Sequence, residues 1–134
     1  MGLFDIFRRQ DPIRDTRELA DFIDQNSAFL VQKAIYEYSR ARAGHYSKVL
    51  FAEPEFHEAV ERSRWRAYPL GLAMVAEVAE GVLRSHSGAR WHREFDALVA
   101  IVLSVFDRYP VPNSLGEPLW RELRVDLDRR LHVK

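Results

Sequence analysis

The stretch Pro69-Leu70-Gly71-Leu72-Ala73-Met74-Val75-Ala76-Glu77-Val78-Ala79-Glu80-Gly81-Val82-Leu83-Arg84-Ser85 decides the fold. At 100° per residue, Leu70, Met74, Val75, Val78 and Val82 take one flank of a helix, and Leu72, Ala76, Ala79 and Leu83 take the other. Glu77, Glu80 and Arg84 remain as one narrow polar line. A helix apolar around most of its circumference is one that neighbours cover on several sides. The expected architecture is therefore all-α, a compact bundle of five to six helices with a buried central helix pair.

The second member of that pair is Trp91 to Tyr109, where Trp91, Phe95, Leu98, Val99, Val102, Val105, Phe106 and Tyr109 share a wide stripe and Ala97, Ala100 and Ser104 form a small-residue back. Upstream, Asp15 to Ala43 is helical, with Gly44 as its stop. Its apolar stripe turns at Gln25-Asn26-Ser27: Leu19, Phe22, Ile23 and Phe29 precede, while Leu30, Val31, Ala34, Ile35 and Tyr38 sit rotated. This pattern predicts a bend or two separate packing partners. His45 to Phe51 fits a short helix. Glu53-Pro54-Glu55 opens another, which Pro69 is expected to close. After the Pro110-Val111-Pro112-Asn113-Ser114 turn, Leu119, Trp120, Leu123, Leu127 and Leu131 mark a final amphipathic helix.

The composition is that of an ordinary globular chain, 47% hydrophobic and 30% charged, and its 20 basic side chains balance 20 acidic ones. That balance argues against nucleic acid as a partner. Without cysteine, thiolate and disulfide chemistry are excluded and the cytoplasm is the expected compartment. No apolar run has the roughly 18 to 20 residues of a membrane span. The basic residues are almost all arginine, a skew that fits a GC-rich bacterial genome.

Residues 1–10 stand apart as an amphipathic arm, with Leu3, Phe4, Ile6 and Phe7 beside Arg8 and Arg9, and residues 11–134 are expected to form a single helical domain. Ile6 stands where myristoylation requires Ser or Thr. Docking of the arm on protein is favoured over an interfacial membrane foot.

Glu77 and Glu80, three apart on one face, are near enough to share a cation. The Glu-x-x-His spacing of carboxylate-bridged metal bundles occurs nowhere, so no metal and no cofactor are expected. A solvated seam with Glu80 paired to Arg84 is the favoured reading; a buried ion-pair network with arginine from another helix, and a polar pocket, are the alternatives. His57, Glu61, Arg64 and Tyr68 line one helix edge, too few ligands for a metal. Arg62, Arg64, Trp65, Arg66 and Tyr68 mix arginine with aromatic rings in the manner of an interface hot spot. Trp65 falls opposite Phe56, Val60 and Ala67, so it is either exposed or covered by the segment from His45 to Phe51. No catalytic residue is assigned, because there is no Gly-x-Ser-x-Gly elbow and Ser85-His86-Ser87-Gly88 reads as a helix end.

The block Tyr38-Ser39-Arg40-Ala41-Arg42-Ala43-Gly44-His45-Tyr46, continued by Glu53-Pro54-Glu55-Phe56 and by Arg64-Trp65-Arg66-Ala67-Tyr68-Pro69-Leu70, resembles small uncharacterised all-helical proteins of alphaproteobacteria. Some of these carry an esterase label. The resemblance spans most of the chain and implies a hydrolase, without attaching a catalytic residue or substrate. The residues themselves point to a non-catalytic bacterial adaptor or protein-interaction domain, expected to be a homodimer through Trp65 and the small-residue helix back. A ligand-binding protein or hydrolase at Glu77 and Glu80, and a membrane-surface protein using the arm, are the alternatives.

Overall fold

The computed structural model describes residues 15–133, so the arm carrying Leu3, Phe4, Ile6, Phe7, Arg8 and Arg9 lies outside the described residues. Those described form five α-helices: α1 (Thr16–Ala43), α2 (Ser47–Leu50), α3 (Pro54–Ser87), α4 (Trp91–Phe106) and α5 (Glu117–Leu131). There is no strand among the described residues.

Local chemistry sets several ends. The Asp15 carboxylate accepts the Glu18 N–H at 2.8 Å, capping α1. Gly44, at φ +55°, stops the helix in a conformation that other residues rarely adopt. No side chain caps the N-terminus of α4, an omission worth about 1 kcal/mol. Packing outweighs it: α4 buries Phe95, Leu98, Val99, Val102, Val105 and Phe106, each contributing about 1.5–3 kcal/mol.

Pro69 does not close a helix. It lies inside α3, which runs unbroken for 34 residues. An interior proline removes a backbone donor and crowds the preceding turn, costing about 3 kcal/mol or more. Tyr68 and Leu72, on either side of it, are buried, and their burial offsets that cost. One core cluster joins Ala20, Phe22 and Ile23 of α1, Tyr68, Leu72, Val75 and Ala76 of α3, Leu98, Val102, Val105 and Phe106 of α4, and Trp120 and Leu127 of α5. Phe106 stacks on Trp120 with ring centroids 4.4 Å apart.

Two further expectations change. The central helix is not covered all round, because the row Leu70, Met74, Val78 and Val82 is between 45% and 58% exposed. The core layers meet α3 on its Tyr68, Leu72 and Val75 side only, so the helix pair is closed on one flank and open on the other. In α1, the stripe expected over Leu30, Val31, Ala34, Ile35 and Tyr38 buries Val31 alone. The second half of α1 runs past the core, beside α2 and the beginning of α3. Ala97, Ala100 and Ser104, on the back of α4, are exposed.

Candidate functional site

An unbroken α3 changes the surroundings of Trp65. The residue stands seven positions before Leu72 and eleven before Ala76, in helical phase with both, and so faces the core side. Its cover comes from Tyr109 and Trp120, with ring centroids at 5.4 and 5.9 Å, rather than from His45 to Phe51. Its indole N–H donates to Glu61 Oε1 at 3.1 Å. Arg64 pairs with the same carboxylate and lies 4.9 Å over the Trp65 ring. Arg62 donates to the Ser114 carbonyl at 2.6 Å, tying α3 to the α4–α5 connection. The structure therefore turns the aromatic members of the arginine–aromatic patch inward. Arg62 and Arg66 stay exposed, Arg66 on a shallow groove beside Ser63, Leu123, Asp126 and Arg130.

Tyr68 keeps an edge contact with Trp65, at a ring-centroid distance of 6.0 Å, but points its hydroxyl into the fold. It is buried, and its hydroxyl donates to Asp24 Oδ1 at 2.8 Å. Tyr109 donates to the same oxygen at 2.6 Å, and Arg108 reaches Asp24 Oδ2 at 3.3 Å and Asp21 at 3.0 Å. This node clamps α1, α3 and the end of α4 at one point. Nearby, Arg124 grips both Asp107 oxygens at 2.8 and 2.7 Å. That hydrogen-bonded fork holds the Asp107 carboxyl below its ordinary pKa.

Burial, reinforced by the Asp24 carboxylate, pushes the Tyr68 hydroxyl well above the ordinary tyrosine range, and the same two causes raise Tyr109. The raised pKa fixes the sign of an alkaline effect. Below about pH 10 folded and unfolded chains both keep these protons, and the node contributes fully. Above it the unfolded chain releases a proton that the fold retains, so stability is expected to fall by up to about 1.4 kcal/mol per pH unit for Tyr68. Urea midpoints measured between about pH 9 and 11 check this, and Tyr68→Phe should flatten the decline.

Glu77, Glu80 and Arg84 come together on the wall of a groove of about 770 Å³ between α3, α4 and the end of α5. Leu70, Met74, Phe95, Leu98 and Leu131 give it an apolar lining, to which α5 adds Arg130. Arg84 lies 3.7 Å from Glu80, whose side chain is 24% exposed. Glu77 is exposed and has no ion-pair partner among the described residues. The row Leu70, Met74, Val78 and Val82 runs along the open side of α3 beside this groove.

The groove presents apolar surface edged by charges of both signs, and no hydroxyl, thiol, amine or imidazole side chain is among its described lining. The Ser85 hydroxyl is 2.9 Å from His86 Nδ1, but both side chains are exposed and both turn onto the Val82 carbonyl, as helix-end residues do. Among the described residues no cluster of His, Asp and Glu is arranged to hold a metal ion. No helix among them is long and apolar enough to cross a membrane. No family model, no curated protein and no solved structure matches the chain.

Proposed function

We propose that the protein is a non-catalytic interaction domain of the bacterial cytoplasm, whose open α3 flank and adjoining groove receive an amphipathic helix of another protein. The carrying observation is the exposed row Leu70, Met74, Val78 and Val82 beside a groove lined by Phe95, Leu98 and Leu131. Residues four apart on a helix lie one above another, so this row is a continuous apolar ridge. Helix-in-groove recognition uses side chains at that spacing. Glu77, Glu80, Arg84 and Arg130, at the edge, supply polar contacts of both signs around the apolar centre. The cysteine-free, arginine-rich composition supports the compartment and source.

Met74→Asp tests the reading. The side chain is exposed, so stability should move by no more than about 0.5 kcal/mol. Affinity for a partner seated on the ridge should fall about 10- to 100-fold, the scale of a hot-spot loss. Binding measured by titration calorimetry with a partner captured by the wild-type chain checks both numbers. Equal affinity for both chains defeats the proposal. Native mass spectrometry gives a second readout: excess mass per purified chain would replace the helix by a small ligand in the groove.

A further inference from the structure

From position 32 to position 60 no described side chain is buried, and none packs against the core cluster. These residues make the second half of α1, the turn Gly44–Tyr46, α2 and the beginning of α3, a helical hairpin that projects from the core. Tyr36 contacts Phe51 at a ring-centroid distance of 5.2 Å, and Phe51 contacts Phe56 at 4.9 Å. Tyr38, Val49 and Tyr46 are 61% to 66% exposed. A helix gains most of its stability by packing an apolar face against other elements. A two-helix hairpin has a single internal seam, which leaves these rings and valine in water. Another pair of helices would supply the missing layer, as in a four-helix bundle.

The charges say which pair. Arg40 and Arg42 occupy the last turn of α1, and Lys48 lies in α2. Glu53 precedes α3, Glu55 is in its first turn, and Glu58 follows one turn on. All six are exposed, none has an ion-pair partner among the described residues, and all lie at the tip, the basic ones from the end of α1 into α2 and the acidic ones from Glu53 into α3. The tip is thus basic on one strand of the hairpin and acidic on the other. Nucleic acid would meet the basic strand and be repelled by the acidic one. A second identical hairpin, turned by a two-fold axis, meets both with opposite charge, twice over.

We propose that this hairpin is a dimerisation arm, which pairs tip to tip with the arm of a second copy and places Arg40 and Arg42 of each chain against Glu55 and Glu58 of the other. This is independent of the α3 ridge and its partner.

Native mass spectrometry and sedimentation velocity of the full chain should show a dimer. Arg40→Glu/Arg42→Glu and Glu55→Lys/Glu58→Lys should each raise its dissociation constant by about tenfold or more, through like charges set face to face. The substituted side chains are exposed, so helical content by circular dichroism should not change. Mixing the two variants should restore a dimer holding one chain of each, identified by its mass. A wild-type monomer, a charge-reversed variant that remains fully dimeric, or a mixture that fails to pair would each overturn the proposal. So would a dimer lost on Met74→Asp but kept in the arm variants, since the interface would then be the ridge.

Discussion

Asp24→Ala is expected to lower stability by about 2–3 kcal/mol, which for a chain of this length is a drop in Tm of about 8–12 °C. The carboxylate accepts hydrogen bonds from Tyr68, Tyr109 and Arg108, but the three losses are unequal. Arg108 keeps Asp21, and Tyr109 is only half-buried, so water can reach it. The Tyr68 hydroxyl, in a buried residue, is left without an acceptor, and a stranded donor costs about 1–3 kcal/mol by itself. Tyr68→Phe should cost only about 1 kcal/mol, because it removes the donor while Asp24 retains two partners. The double variant should then be more stable than the sum of the single effects implies, since no orphaned hydroxyl remains. Thermal and urea denaturation of the three variants check the pattern. A cost below about 0.5 kcal/mol for Asp24→Ala would show that the node adds nothing to the fold.

The same substitution should act with opposite sign at two glycines of α3. At Gly71 a Cβ would be driven into Val31 Cγ2 and would sit 3.3 Å from the Ser27 carbonyl oxygen. Valine in a helix is stiff about χ1 and cannot turn aside. Overpacking of about 1–3 kcal/mol therefore exceeds the roughly 1 kcal/mol that alanine gains in helix propensity. Gly71→Ala is expected to destabilise by about 1–2 kcal/mol, and Gly71→Leu by about 3 kcal/mol or more. At Gly81 a Cβ meets nothing within 4 Å, so Gly81→Ala should stabilise by about 0.5–1 kcal/mol through propensity alone. Adding Val31→Ala to Gly71→Ala should recover part of the loss by reopening the crossing. If Gly71→Ala raised Tm, α1 and α3 would not approach as closely as the structure has them.

Much of the helical architecture is legible in local chemistry. The Asp15 cap, the Gly44 stop and the 3.6-residue stripe of α4 all act within a turn or two of chain. Pro69 misleads because its cost is local while the burial of Tyr68 and Leu72 that offsets it is supplied by other helices. Trp65 misleads for the same reason, since a helix expected to end at Tyr68 carries no phase forward to Leu72. The Asp24 node leaves almost no sequence signal: its partners Tyr68 and Tyr109 lie 44 and 85 residues away, and in sequence Tyr68 is simply an aromatic beside the arginines. The Glu77, Glu80 and Arg84 line was visible from helical spacing, whereas the groove needed Phe95, Leu98 and Leu131 from two other elements. An amphipathic pattern in the second half of α1 announces an apolar face without saying whether anything covers it.

Because α3 is one helix from Pro54 to Ser87, it is a rod of about 50 Å with the arm on one half and the groove on the other. The Asp24 clamp grips it near the middle, beside the proline that interrupts its hydrogen-bond ladder. Arm and groove thus share one continuous helical backbone, held at Tyr68, with no intervening loop between them.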